Sequence, residues 1–305
     1  MKAESSSEGM VRYDIRPMHR AAFLCLLAGG CAIAFAPIFV RLASPEVGPV
    51  ASAFWRTALA MPLLWTWVFT RKGATPAKAG ARSFLPILLA GLFFAGDLGV
   101  WHWSIVWTSV ANSTLLANLA PIFVTLAGWV FWKRRVSGLF LVGMCVAIAG
   151  MFILVGPNFF VGGTRLLGDA LGALTAVFYA GYFLAIKVAR DSGASTARLM
   201  AWSTTVTAIL LLPVALLSPQ PMLPPTAASW AVMLGLALVT QIAGQGLIAY
   251  AFAHLTASLS SVSLLIQPVV ATFVAWLLFH EAVGVAQCVG GVVVLAGIWL
   301  AKRGS

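Results

Sequence analysis

A chain of 305 residues in which 61% of the side chains are hydrophobic and 9% are charged lies far outside the composition of soluble proteins. Its mean hydropathy of +0.97 excludes a soluble globular protein and indicates one that is embedded in a lipid bilayer. The formal net charge of +11 would suggest a nucleic-acid partner in a soluble chain, but the basic residues here lie between apolar runs, so none is expected.

Ten long apolar runs follow a polar segment, residues 1–20, which we expect to lie in the cytoplasm. A bilayer core about 30 Å thick needs about 20 apolar residues per helix, and each run is close to that length. The sequence therefore predicts an all-α membrane protein with ten transmembrane helices and no soluble domain. The predicted spans are 21–43, 48–70, 83–104, 108–131, 137–155, 166–188, 197–217, 229–252, 257–279 and 284–301.

Two apolar stretches repeat each other. Residues 121–132 read PIFVTLAGWVFW and residues 268–279 read PVVATFVAWLLF, with proline, threonine and tryptophan at the same offsets. The ten spans then divide into two five-helix repeats, residues 21–155 and 166–301. Because five is odd, the second repeat is inverted in the membrane relative to the first. Inverted repeats are a common route to alternating access around a site near the midplane, which favours a secondary transporter.

The Lys and Arg residues indicate the orientation of the chain. If the amino terminus is cytoplasmic, most of the 19 lie on the cytoplasmic side, and Arg41 and Arg165 lie outside. This bias predicts an even number of spans, with both termini in the cytoplasm. It also accounts for the basic isoelectric point without any nucleic-acid partner.

A set of motif residues marks the second half, HLTASLSSVSLLIQPVVATFVAWLLFHEAVGVAQCVGGVVVLAGIWL. They are Ser258 before a span, Pro268 within it, Glu281 at its end, and then Gln287, Gly290 and Gly297. This set resembles the repeat of the EamA branch of the drug/metabolite transporter superfamily. AFWRTALAMPLL at 53–64 is similar to the arginine-bearing second helix of that family. The first half departs from the pattern at Arg134, where the second half has Glu281.

The resemblance implies a secondary transporter in the bacterial inner membrane that exports amphipathic small metabolites. Within that branch, the 12 Trp and 19 Phe residues are typical of exporters of aromatic or other apolar amino acids. A proton-coupled multidrug or organic cation exporter remains an alternative. In a different class, so does a membrane-embedded lipid-modifying enzyme.

Motifs for other chemistry are missing from the sequence. It has no GxxxxGK[ST], so no ATP-driven step is expected on this chain. It has no HExxH, GxSxG or clustered His and Cys, so neither a catalytic residue nor a metal or cofactor site is expected. The expected partners are a small-molecule substrate and the lipid bilayer, and we expect the chain to act as a monomer.

Asp97 is the only acidic residue deep inside an apolar run. An ionised carboxylate at the bilayer centre costs about 2.5–3.5 kcal/mol, so it should face a wet cavity, form an ion pair or take up a proton. At helical spacing Trp101 shares its face, and His102 lies about 100° further round. A carboxylate beside a tryptophan suits a solute with an ammonium group and an apolar ring. Alternatively, Asp97 accepts hydrogen bonds that hold neighbouring helices together.

Arg56 is the second charged candidate. It lies about eight residues from the outer end of its span, or roughly 12 Å deep at 1.5 Å per residue. One interpretation is that it binds the carboxylate of a substrate. The other is that it pairs with Glu46 or with exposed carbonyl groups near the outer surface.

Further polar side chains on the predicted helices are candidate substrate ligands, with interhelical hydrogen bonding as the alternative. They are Asn118, Tyr179, Tyr182, Gln241, Gln245, Ser263 and Gln267. Pro121 and Pro268 are expected to bend their helices beside the cavity, because proline cannot donate a backbone hydrogen bond.

Overall fold

The structure is a computed structural model that describes residues 16–43, 46–70, 81–108, 110–159, 166–280 and 283–305. Within these ranges the regular structure is helical throughout. The motif residue Glu281 and Arg165 lie outside the described residues, as does most of the amino-terminal segment 1–20. The helices are α1 Arg16–Ile33, α2 Ala36–Ala43, α3 Pro49–Thr70, α4 Ala81–Trp107, α5 Val110–Ala117, α6 Ala120–Trp132, α7 Gly138–Phe159, α8 Leu166–Asp191, α9 Thr196–Leu216, α10 Ala227–Gly235, α11 Gln245–Ala251, α12 Ala257–Ser263, α13 Ile266–Phe279 and α14 Val285–Arg303, with a π-helical segment, Leu236–Gly244, between α10 and α11.

Nine helical segments of the described chain are long and apolar enough to cross a membrane. They are Met18–Ala43, Phe84–Trp107, Asn112–Trp132, Gly138–Val155, Leu166–Asp191, Thr196–Leu216, Ala227–Ala251, Ala257–Phe279 and Val285–Arg303. The helical membrane fold predicted from the sequence is thereby confirmed. The remaining long helix, α3, has 22 residues, but Arg56, Pro62 and three tryptophans lower its hydropathy.

Three of these segments are broken near the middle. The helix is interrupted at residues 34–35, at 118–119 and at 264–265. Pro37, Pro121 and Pro268 lie within the first three residues of the helix that follows each break. Proline lacks the backbone N–H that would continue the ladder, and it disfavours helical geometry in the residue before it. The interruptions beside Pro121 and Pro268 agree with the bends that the sequence predicts.

A fourth segment departs from α-helical geometry without a break. The π-helical segment runs for nine residues between α10 and α11, and Gly244 at its end lies against Ile33 of α1. A Cβ on Gly244 would be 2.9 Å from the side chain of Ile33, so a larger residue there would require Ile33 to move. Such π segments are frequent at functional sites.

The helices pack in a small number of long pairs. The α7 and α14 helices contact each other along their length, as do α3 and α9, and α4 and α8. The α1 helix lies against α11 and the π-helical segment. In the first pair a Cβ on Gly150 would lie 2.5 Å from the backbone nitrogen of Val294. Small residues at such contacts allow the close backbone approach that drives association within a membrane.

The distribution of side chains is that of a protein in lipid. Large apolar side chains such as Leu24, Trp129 and Phe131 are exposed on the outer surface of the bundle. Polar and charged side chains, among them Arg56 and Asp97, are buried inside it. This arrangement leaves the lipid-facing surface apolar and concentrates hydrogen-bonding groups around the interior.

Candidate functional site

A central cavity of about 100 Å³ lies where the broken segments meet α3, α4 and α8. Its wall includes Ile33, Ala34 and Pro37 at the first break, and Pro268 beside the third. Seven of the residues predicted as substrate ligands also line it. They are Arg56, Asp97, Trp101, Asn118, Tyr179, Gln245 and Gln267.

Asp97 supplies the negative charge of the central cavity. It lies near the middle of α4, and its side chain is 8% exposed. Phe94, Leu98 and Trp101 of the same helix also line the cavity, as expected for residues spaced three or four apart. The carboxylate forms no hydrogen bond or ion pair with any other described residue. The interhelical hydrogen bonds that a purely structural role requires are therefore not formed.

Arg56 supplies the positive charge from α3, and its side chain is 5% exposed. Its Nε donates a hydrogen bond to Oε1 of Gln241 at 3.1 Å, whereas its buried Nη2 has no hydrogen-bond partner. The guanidinium carbon lies 5.6 Å from the centroid of the Phe94 ring, within the range of a cation–π contact. The alternative pairing with Glu46 is not formed, and Glu46 accepts a hydrogen bond from Thr226 at 2.7 Å.

Gln241 positions this arginine. It belongs to the π-helical segment, and its Nε2 donates to the hydroxyl of Thr204 on α9 at 3.0 Å. Both Gln241 and Thr204 are buried. Because one end of the amide donates to Thr204, the other end presents its oxygen to Arg56. The chain Thr204–Gln241–Arg56 thus holds one side of the guanidinium, while Nη2 is left without a hydrogen-bond partner.

Two tyrosine–glutamine pairs complete the polar lining. Gln267 Nε2 donates to the hydroxyl of Tyr179 at 3.3 Å, and the hydroxyl of Tyr182 donates to Gln245 Oε1 at 3.1 Å. The rings of Tyr179 and Tyr182 are nearly parallel, and Tyr182 stacks on Phe94 with centroids 4.5 Å apart. This aromatic stack connects α8 to α4 on one side of the cavity.

Four predicted ligands lie outside the cavity wall. Tyr182 and Gln241 are buried behind it and act through Gln245 and Arg56. His102 is buried, and its Nδ1 lies 2.6 Å from the carbonyl oxygen of Leu98. It does not line the cavity because its position on the helix turns it away from the face that carries Trp101. The hydroxyl of Ser263 donates to the carbonyl of Leu259 in its own helix.

Some wall residues were not predicted from the sequence. Phe94 and Thr175 line the cavity and lie three or four positions before Asp97 and Tyr179 on the same helices. Their spacing of three or four residues from Asp97 and Tyr179 places them on the same helix faces, so the sequence could have predicted them. The backbone around Ala34 also lines the cavity, but no polar side chain marks that break in the sequence.

The central cavity therefore presents opposite charges that do not pair with each other. The ion pair formed among the described residues joins Lys187 to Asp191, well away from Arg56 and Asp97. Such a site suits a solute that carries both an ammonium group and a carboxylate, with Phe94 and Trp101 against its apolar part. Within the described chain, no group of three or more His, Cys, Asp or Glu side chains is placed to hold a metal ion.

Comparison with known proteins shows similarity to transporters. The model of the EamA-like transporter family matches the chain twice, at residues 20–156 and 166–303. An uncharacterized transporter of Archaeoglobus fulgidus is 26% identical over 86% of this chain and 91% of its own. A pseudopaline exporter of Pseudomonas aeruginosa is 24% identical over 84% of this chain and 87% of its own. These proteins are named as transporters and not as enzymes.

Two further similarities concern substrate class and fold. A probable terminal-alkyne amino-acid exporter of Streptantibioticus cattleyicolor is 31% identical over 66% of this chain and 67% of its own. A solved crystal structure with 17% sequence identity superposes with a TM-score of 0.78, covering 93% of this chain and 97% of that one. The second likeness shows a shared fold.

Proposed function

The chain belongs to the EamA-like transporter family, and from that premise we propose that it exports amphipathic small metabolites, chiefly amino acids with aromatic or other apolar side chains. The observation that carries the proposal is the central cavity, where Asp97 and Arg56 face the same space without pairing. A zwitterionic amino acid supplies both missing partners, with its ammonium group at Asp97 and its carboxylate at Arg56. Phe94 and Trp101 then contact its side chain.

Asp97 and Arg56 place two buried charges within the membrane. A charge within the bilayer is costly unless a partner or water compensates it. Neither Asp97 nor Arg56 has an oppositely charged protein partner within ion-pair distance, and the buried Nη2 of Arg56 has no hydrogen-bond partner. A solute that carries both charges can therefore compensate both groups. Bound solute makes two charge-assisted contacts, which are stronger than neutral hydrogen bonds. The site therefore discriminates in favour of solutes that carry both charges.

We further propose that the chain forms two inverted five-helix repeats, residues 21–155 and 166–301, with α3 as the tenth span. The double match to the family model supports this division. The breaks at 118–119 and 264–265 fall at equivalent positions of the two repeats. The helix contacts fit a two-fold relation between the repeats. If the two repeats are exchanged, the α7–α14 and α3–α9 contacts are unchanged, and the α4–α8 contact becomes the contact between α11 and α1. Such an arrangement supports alternating access at the repeat interface.

The same proposal places the protein in the bacterial inner membrane with both termini in the cytoplasm. Basic residues lie at the end of the bundle where α6, α8 and α14 finish. The central cavity is lined by Trp101 near the end of α4 and by Thr114 on α5, so it lies toward the opposite, outer end.

Transport by the purified protein in liposomes tests the proposal. Labelled phenylalanine, phenethylamine and glycine are measured with and without a pH gradient. Saturable transport is expected for phenylalanine, with weaker transport of phenethylamine, which lacks the carboxylate, and of glycine, which lacks the apolar side chain. Transport of organic cations but of no amino acid would favour the proton-coupled cation exporter. Modification of the liposome lipids without solute transport would favour the enzyme.

Two tryptophans of α4 provide a matched control. Trp101 lines the central cavity, whereas Trp103 is 52% exposed on the outer surface. Trp101→Ala should reduce transport of phenylalanine more than that of small amino acids, because it removes an apolar wall. Trp103→Ala should leave the ratio unchanged. An equal loss for all solutes in Trp101→Ala would indicate a packing role instead.

A further inference from the structure

A second cavity lies at the other end of the helices that line the central cavity. Its volume is about 320 Å³, larger than that of the central cavity. We name it the basic cavity, because Arg134, Arg135 and Lys187 are in its wall. It is formed by the end of α6 and the connection to α7, the end of α8, the start of α12, and residues after α14.

The two cavities lie along the same three segments. Each segment contributes residues to both cavities, at different positions along its length. Such pairs of residues are Asn118 and Val124 on α5–α6, Tyr179 and Leu184 on α8, and Gln267 and Ser258 on α12–α13. At 1.5 Å per residue, the members of a pair are roughly 7 to 14 Å apart along the helix. The cavities are therefore separated by a thin layer of protein.

That layer is closed in the described state. Phe183 on α8 is buried and stacks on Phe252, with ring centroids 5.2 Å apart. It also contacts the tilted ring of Tyr179, with centroids 4.1 Å apart. Val262 and Leu265 on the broken α12–α13 segment are also buried. Two of the segments in this layer are interrupted beside prolines, so they can change angle there without breaking a continuous helix.

The basic cavity has the charge and shape to hold an amphipathic solute. Lys187 is neutralised by Asp191, with Nζ and Oδ1 2.7 Å apart. Arg134 and Arg135 are exposed at the rim and form no ion pair with any described residue. Val124 and Leu184 give the wall an apolar part. Cations at the rim and apolar side chains within complement a solute with a carboxylate and an apolar group.

We propose that the basic cavity is a second solute site, which receives the amino acid from the cytoplasm before the layer beneath the central cavity opens. This inference rests on the proposed function and on its cytoplasmic orientation. Arg134 and Arg135 attract the carboxylate of the solute, and the apolar wall contacts its side chain. The solute then passes along the shared segments to Asp97 and Arg56.

Gly128 makes this site testable, because it is in the wall of the basic cavity and a Cβ built on it meets no atom within 4 Å. A cysteine fits there without disturbing its neighbours. Gly138 offers a matched control, since its surroundings are equally open and it does not line the cavity. Both substitutions are made after alanine replaces the native Cys25, Cys31, Cys145 and Cys288. Labelling of Gly128→Cys and Gly138→Cys by a charged maleimide is then measured in liposomes, and thermal unfolding checks that both variants are folded.

Phenylalanine is the probe in this experiment, and short-chain phosphatidylglycerol is the comparison. Saturating phenylalanine should slow the labelling of Gly128→Cys at least about threefold and leave that of Gly138→Cys unchanged. In the double variant Arg134→Gln, Arg135→Gln, the same protection from labelling should need about three to ten times more phenylalanine, as expected for the loss of two exposed charges. The slowing of Gly128→Cys labelling by saturating phenylalanine should persist within about twofold when Asp97→Asn weakens solute binding in the central cavity.

Three results would overturn the proposal that the basic cavity is a second solute site. The first is labelling unaffected by phenylalanine in a preparation that transports it, which leaves the proposed function standing. The second is loss of protection in Asp97→Asn, because labelling would then report a change transmitted from the central cavity. The third is protection by phosphatidylglycerol alone, which would make the basic cavity a lipid site. Failure of both protection and transport of any amino acid would overturn the proposed function as well.

Discussion

Arg56 and Asp97 are the two charged residues of the proposed substrate site. Each is buried in α3 or α4, and each keeps part of its hydrogen-bonding capacity unused. A structural ion pair would leave neither group available, whereas two groups that face one cavity can each receive a partner of opposite charge. Under the proposed function, the carboxylate and the guanidinium should therefore favour a solute with both charges over an amine or an acid alone.

The first residue-scale prediction concerns Asp97→Asn. This change keeps the shape of the side chain and removes its charge, so it should abolish accumulation driven by a pH gradient while the protein stays folded. Downhill exchange of phenylalanine should survive at reduced affinity. Uptake into liposomes with and without an imposed gradient measures both. If the variant retains uphill transport and its pH dependence, Asp97 holds helices together and coupling depends on another group.

The second concerns Gln241→Glu. A carboxylate in place of this amide would neutralise Arg56, to which Gln241 is hydrogen-bonded at 3.1 Å. Affinity for phenylalanine should fall roughly 10- to 100-fold, the value of a lost hydrogen bond between charged groups. Phenethylamine has no carboxylate, so its transport should not fall. Competition between the two solutes in liposomes measures the change in preference.

Thr204 and Thr207 supply the control for that interpretation. Both are buried on α9, but Thr204 accepts from Gln241, whereas Thr207 donates to the carbonyl of Gly91. Thr204→Val should weaken phenylalanine transport several-fold by releasing the amide that positions Arg56. Thr207→Val should not change the preference between the solutes. Equal effects of the two variants would mean that Gln241 only contributes to packing.

The sequence predicts the charged residues of the site better than their partners. Asp97 and Arg56 are identifiable because an isolated charge in a long apolar run is costly wherever the helix packs. The partner of Arg56 is Gln241, 185 positions along the chain, and no local pattern connects them. Pairing with the nearer Glu46 was equally compatible with the sequence. The packing of α3 against the π-helical segment is what makes Gln241, and not Glu46, the partner of Arg56.

At the scale of elements, prolines and glycines determine how the segments pass the cavity. The breaks at 118–119 and 264–265 are predictable because Pro121 and Pro268 interrupt apolar runs of spanning length. The π-helical segment is not predictable, since its apolar sequence is compatible with an ordinary α-helix and its geometry depends on packing against α1 and α3. Yet it is this segment that presents Gln241 to Arg56.

The α7–α14 contact provides a prediction about stability. Gly150→Val should lower the free energy of unfolding by about 1–3 kcal/mol, the usual cost of forcing atoms into a packed interface. The reason is that a Cβ at Gly150 would lie 2.5 Å from the backbone of Val294. Gly138→Val on the same helix should cost far less, because a Cβ there meets nothing within 4 Å. Thermal unfolding in detergent compares the two. Equal midpoints would show that the helices can separate without loss.

At the scale of the whole molecule, two cavities of different character occupy opposite ends of the same segments. The central cavity holds one charge of each sign, and the basic cavity presents cations at its rim. In the proposed order, the solute enters at the basic cavity, which attracts its carboxylate, and then binds in the central cavity, which matches both of its charges. This order fits export only if the basic cavity faces the cytoplasm.

Orientation is accordingly the prediction on which the direction of transport depends. Lys133, Arg134 and Arg135 after α6, and Lys302 and Arg303 at the end of α14, lie at the same end of the bundle as the basic cavity. Lys and Arg are retained in the cytoplasm during insertion, so this end and Ser305 should be cytoplasmic. A reporter active only in the cytoplasm, fused to Ser305, should be active, and a periplasmic reporter at the same position silent. The reverse result in a well-expressed fusion would place Arg134 and Arg135 outside, and the basic cavity could then not receive solute from the cytoplasm.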